Sequence, residues 1–250
     1  MIKRGINWFK YSSPASFYPL AGRLVPWFSG LAAVLIVAGL YISFFVAPTD
    51  FRQGEAYRIM FIHVPAAWMS MFIYVVMAAY ATAGFVWNTR LSAMMARSMA
   101  PTGAMFTFLA LWTGALWGKP MWGAWWVWDA RLTSELILLF LYIGYMALQA
   151  AIEEPRRAAR ASGLFALVGV INIPIIYFSV QWWNTLHQGA SISLEQAPTM
   201  AASMLTAIVI MTLGFWMYSI AVVLTRVRSE ILEQERHTTW VKELVGGGHG

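Results

Sequence analysis

Six blocks of apolar residues divide the chain: Val25–Ala47, Val64–Trp87, Met99–Gly118, Thr133–Ile152, Ser162–Gln181 and Met200–Leu224. Each is about the length that a helix needs to cross a hydrocarbon core, roughly twenty residues. The blocks are continuously apolar rather than alternating. Lipid admits only helices and closed barrels, because nothing else satisfies the backbone internally. The pattern therefore predicts an all-α integral membrane helical bundle with six transmembrane helices. Only Asn172 and Pro174 interrupt the fifth block. The first block is too long for a signal-peptide core and ends without an A-x-A site, so it is expected to be a retained span. Residues 1–225 form one domain in this reading, and 226–250 form a charged tail. Within that tail, Arg226–Val245 is expected to hold a short helix, and Gly246–Gly250 a flexible end.

Composition agrees with the pattern. Of 250 residues, 60% are hydrophobic and only 11% charged, against about a quarter charged in soluble domains. So few charges cannot cover a soluble surface of this size.

The distribution of charge then orients the bundle. Lys3, Arg4, Lys10 and Arg23 precede or open the first block; Arg90 and Arg97 follow the second. Arg156, Arg157 and Arg160 follow the fourth, and Arg226, Arg228, Arg236 and Lys242 follow the sixth. The opposite side holds Arg52, Arg58, Lys119 and Arg131. The positive-inside rule predicts cytoplasmic termini. Basic residues strung along membrane edges suit a lipid bilayer and do not form a nucleic-acid patch, so no nucleic-acid partner is expected. The chain has no cysteine, which excludes disulfides, thiol catalysis and Cys-ligated metals. It has no phosphate-binding glycine loop, so it is not expected to hydrolyse nucleotide itself.

The third outer loop, 117–133, carries the unusual chemistry. It reads Trp117-Gly118-Lys119-Pro120-Met121-Trp122-Gly123-Ala124-Trp125-Trp126-Val127-Trp128-Asp129-Ala130-Arg131-Leu132-Thr133. Tryptophan favours the bilayer interface, so an aromatic belt is the plain reading. A consecutive cluster spaced by glycines instead offers a broad apolar platform with indole N–H donors at its edge. That surface suits a large planar ligand.

Two of the four histidines, His63 and His187, fall on the same outer side, one on each flank of this loop in sequence. His63 is expected just before the second span, with Pro65 in the first helical turn. Neutral imidazole is an axial ligand of haem iron, though a lone interfacial histidine can equally be structural. His237 and His249 lie in the tail and are assigned no role. Arg58 and Arg131 are the cations best placed to pair with propionates in fork geometry; anchoring helix ends to lipid phosphate is the equal alternative. Asp129 could orient an indole or Arg131, or start the fourth helix. Glu135 sits in that helix's first turn, where the dipole favours an anion, and reads as structural.

The run from Trp117 to Thr133 resembles the tryptophan-rich WWD signature of haem-handling proteins. With six spans and one histidine on each flanking outer loop, the chain resembles their smallest branch, the cytochrome c maturation protein C family (CcmC). The resemblance runs from the first span to the sixth. It implies a bacterial inner-membrane protein that binds haem b as cargo at the periplasmic face and delivers it to a membrane-anchored haem chaperone. An ABC-type ATPase, its membrane subunit and a small single-span subunit are the further partners implied. By position, His63 and His187 become axial ligands, Trp117, Trp122, Trp125, Trp126 and Trp128 the platform, and Asp129 the last signature residue. The role implied is haem transfer of a haem-lyase-like kind rather than metabolic catalysis.

Two other classes fit parts of the pattern. A small-molecule permease subunit would more typically show ionisable residues at mid-membrane, or helices broken in both halves. A bis-histidine membrane cytochrome would place its ligands within helices facing the bundle core.

Overall fold

The computed structural model describes residues 10–187, 192 and 197–246. Among these the chain is helical, with one isolated bridge between Asp50 and Gly54 as its β-structure. It is an all-α membrane bundle. The helices are α1 (Pro14–Tyr41, continued by a π-turn at Ile42–Val46), α2 (Met60–Trp87, entered through a 3-10 turn at Glu55–Ile59) and α3 (Arg90–Trp122). They continue as α4 (Ala130–Ala151), α5 (Pro155–Gly169), α6 (Asn172–Trp182), α7 (Ala202–Gln234) and α8 (Thr239–Gly246). Six helical stretches are long and apolar enough to span a membrane, with α5 and α6 together making the fifth.

The fifth span breaks at Val170–Ile171, between α5 and α6. A Cβ on Gly169 would collide with the Tyr74 hydroxyl, so only glycine admits that ring. The Asn172 Nδ2 then donates to the Ser134 carbonyl at 2.9 Å, fixing where α6 restarts against α4.

Small residues let the other helices approach closely, as expected where lipid is as apolar as the side chains. On Gly39 a Cβ would lie 2.6 Å from Met211 Sδ, and on Gly214 one would lie 2.8 Å from Ile36 Cγ1. These two glycines seat α1 along α7. A core of Tyr74, Met77, Phe106, Leu138, Tyr142 and Met211 joins α2, α3, α4 and α7.

Two boundaries differ from expectation. α7 runs unbroken across residue 225, and its Val227 and Ile231 pack on Leu91 and Met94, so 226–234 belongs to the bundle. The ion pairs Arg97–Glu230 at 2.9 Å and Arg90–Glu235 at 3.2 Å fasten it there. Only α8 corresponds to the short tail helix. Lys3, Arg4 and His249 lie outside the described residues. The other difference is in 117–133. α3 continues to Trp122 and stops at Gly123, whose φ of +76° suits the left-handed C-cap. Trp117 and Trp122 are therefore helical, and the connecting segment is only 123–129.

Candidate functional site

A cavity of about 370 Å³ opens where α2 and α4 begin and α3 ends. α3 makes the space by presenting Ala110, Gly114 and Gly118 at successive turns of one face. On Gly114 a Cβ would lie 3.0 Å from His63 Cε1; on Gly118 one would lie 3.0 Å from Trp122 Cε3. The absence of side chains there admits an imidazole and an indole.

His63 lies inside α2, in its first turn, rather than before the span, because the helix begins at Met60. Its Nδ1 is 2.9 Å from the Ala110 carbonyl and 3.1 Å from Thr113 Oγ1. A carbonyl only accepts, so Nδ1 carries the proton and Nε2 is left with its lone pair. This is the arrangement by which a second partner fixes a ligating imidazole.

His187 comes from the segment after α6. Asp129 Oδ1 caps α4 by accepting from Leu132 N at 2.8 Å, while Oδ2 accepts from Thr185 Oγ1. Thr185 Oγ1 in turn accepts from His187 N at 3.0 Å. One carboxylate thus joins the start of α4 to the segment carrying the second histidine. The His63 and His187 ring centroids are 6.3 Å apart. Two imidazoles on opposite faces of one metal ion, with bonds of about 2 Å, stand about 6 Å apart. No group of three or more His, Cys, Asp or Glu is arranged to hold an ion among the described residues. The pair suits a metal that brings its remaining ligands with it.

The tryptophans divide. Trp117 meets His63 edge-on at 5.7 Å, with its Nε1 donating to Gln53 Oε1 at 2.9 Å. Trp122 lies 6.4 Å from the His187 ring. Both line the cavity. Trp125, Trp126 and Trp128 do not: Trp125 and Trp128 are 55% and 79% exposed, and Trp126 packs against Trp128 at 5.3 Å. They form a shelf outside the cavity.

The cations divide as well. Arg131 lines the cavity and donates to the Ile176 carbonyl at 2.6 Å. Arg58, expected to join it, points elsewhere. It pairs with Glu55 and donates to the Ser43 carbonyl within the π-turn and the Ala47 carbonyl just after it. Its place at the cavity is taken by Arg52. Asp50 Oδ1 accepts from the backbone of both Arg52 and Gln53, at 2.9 and 2.8 Å, shaping the turn that presents them.

Besides Arg52, the cavity includes an ionisable residue that its sequence position marked as structural. Glu135 lies one turn into α4 from Arg131, is 7% exposed, and accepts from Ser70 Oγ at 2.7 Å. The available signal was its position: an ionisable group inside a span marks a site by default.

Comparison with known families matches residues 7–242 to the model described as heme exporter protein C, CcmC. Among curated proteins, the heme exporter protein C of Escherichia coli is 47% identical over 234 residues, covering 93% of this chain and 94% of that protein. The heme exporter protein C of Bradyrhizobium diazoefficiens is 47% identical over 223 residues, covering 89% and 84%. A putative cytochrome c biosynthesis ccmC-like mitochondrial protein of Marchantia polymorpha is 49% identical over 164 residues, covering 66% and 69%.

Proposed function

This chain belongs to the heme exporter protein C family, and we propose from that premise that it handles haem for cytochrome c biogenesis, binding haem b as cargo in the cavity between α2, α3 and α4. The observation that carries the reading is the pairing of His63 and His187, 6.3 Å apart beside two cavity-lining indoles. His63 Nε2 and a nitrogen of His187 are the axial ligands. Trp117 and Trp122 flank the macrocycle, and apolar contact there contributes roughly 25 cal/mol per Å² buried. Arg52 and Arg131 receive the propionates as charge-assisted pairs.

The two ligands differ in what holds them, and this suits a carrier. His63 is anchored inside a helix and to the backbone of α3. His187 rides on a loop segment tethered through Thr185 and Asp129. Release needs movement only of the second. The shelf that exposes Trp125 and Trp128 over the half-buried Trp126 is where a membrane-anchored haem chaperone docks to take the cargo. Partnership with an ABC-type ATPase, its membrane subunit and a small single-span subunit belongs to the same proposal. Arg23, Arg156, Arg157, Arg160 and Arg226 all lie at the end opposite the cavity, which supports a periplasmic cavity in a bacterial inner membrane.

Delivery tests this function. Purified haem-loaded protein mixed with the apo-chaperone should transfer its haem, and a variant with Gly114→Leu, which drives a side chain into the His63 ring, should arrive empty and transfer none. Full haem loading of that variant would refute the cavity as the cargo site.

A further inference from the structure

At the end of the bundle opposite the histidines, a second cavity of about 240 Å³ lies between the α2–α3 turn and the start of α5. Its polar lining is Asn88, Thr89, Tyr145 and three guanidinium-bearing residues, Arg90, Arg156 and Arg160. Among the described residues no carboxylate lines it. Arg90 is committed in part to Glu235 at 3.2 Å, but among the described residues neither Arg156 nor Arg160 is paired with an acid. Of the neighbouring acids, Glu153 is exposed, and Glu154 accepts from the backbone of Arg156 and Arg157 as the cap of α5 and pairs with Arg157; neither lines the cavity.

The rest of the wall is apolar: Ala81, Gly84, Phe85, Ala93 and Ala159 descend from the arginines along α2, α3 and α5. Trp87, 71% exposed at the end of α2, marks this level as the membrane–water interface. A fork of guanidiniums over an apolar wall at the interface matches a group that is phosphate above and acyl chain below.

We propose that this cavity binds the phosphate of an acidic phospholipid of the membrane leaflet at the basic end. A bound lipid there bridges α3 and α5 at their starts. It holds the hairpin of α2 and α3 against the broken fifth span.

Native mass spectrometry of the detergent-purified full chain tests the proposal, with phosphatidylglycerol, phosphatidylcholine and inorganic phosphate as probes. The wild type should retain phosphatidylglycerol where phosphatidylcholine is stripped. The variant R90Q/R156Q/R160Q should need about a hundredfold more phosphatidylglycerol for equal occupancy. The variant R23Q/R157Q/R226Q removes the same charge from the same end outside the cavity and should bind as the wild type does. Equal weakening in both variants would mean diffuse attraction to the whole face, and would overturn the site. Displacement of phosphatidylglycerol by an equal concentration of inorganic phosphate would overturn the lipid as ligand. If the triple cavity variant does not fold, R160Q breaks no ion pair and serves instead; unchanged affinity in R160Q then overturns the proposal.

Discussion

Asp129 Oδ2 accepts a hydrogen bond from Thr185 Oγ1, although 56 residues separate them in the chain. Because the same threonine oxygen accepts from His187 N at 3.0 Å, Asp129 acts on the second histidine through one intermediate. Asp129→Ala should lower haem affinity about tenfold, the usual scale for losing a group that orients a metal ligand. The spectrum should shift toward a five-coordinate form that added imidazole restores. Asp129→Asn keeps one oxygen for two donors, Leu132 N and Thr185 Oγ1, and should fall between the Ala variant and the wild type. Difference spectra of the two variants check this; equal damage by Ala and Asn would assign Asp129 a role through its charge.

The divided tryptophans predict divided phenotypes. Trp117→Ala with Trp122→Ala should lower bound haem severalfold, because both line the cavity. Trp125→Ala with Trp128→Ala should keep the haem and slow its transfer to the chaperone. Haem content and transfer rate, measured on the same preparations, separate the two pairs.

Much of this division was hidden in the sequence for a physical reason. The six spans were legible because burial in lipid demands long apolar runs, and nothing shorter satisfies the backbone. The site residues were legible as types: His63, His187, Trp117, Trp122 and Arg131 do meet at one cavity. Their sorting depends on where α3 stops. A run rich in tryptophan and glycine reads as a loop throughout, yet Gly118 is a packing gap within the helix and only Gly123 is a stop. That single difference puts Trp122 at the cavity and leaves Trp125 on the shelf. Glu135 was visible but was read as a first-turn anion; α4 begins at Ala130, which leaves Glu135 beyond the first turn and facing Ser70 on α2.

The choice between Arg52 and Arg58 turned on the π-turn at Ile42–Val46, which no local pattern announces. Arg52→Gln and Arg131→Gln should each weaken haem binding about ten- to hundredfold, as loss of a charge-assisted bond of roughly 1.5–3 kcal/mol implies. Arg58→Gln should instead loosen the α1–α2 connection, lowering the melting temperature while the bound-haem spectrum keeps its shape. Titrations with haem, paired with thermal melts, distinguish the residues.

The absence of cysteine makes the orientation directly measurable. Phe51, 89% exposed beside the cavity, should as Phe51→Cys react with an impermeant thiol reagent added to intact cells. Glu153→Cys and Ser229→Cys, both exposed at the opposite end, should react only after the cells are opened. Reversed labelling would place the cavity in the cytoplasm.

The axial pair is the centre of the account, and an optical spectrum of purified protein reads it directly. The wild type should show a low-spin, six-coordinate haem. His63→Ala and His187→Ala should each give a weaker, largely five-coordinate haem that free imidazole partly restores, with the His63 variant losing more because its ring is the one anchored in a helix. The double variant should lose axial ligation altogether, while His237→Ala, at the opposite end of the bundle, should leave the spectrum as it was. A wild-type spectrum that persists in both single variants would contradict paired ligation by His63 and His187.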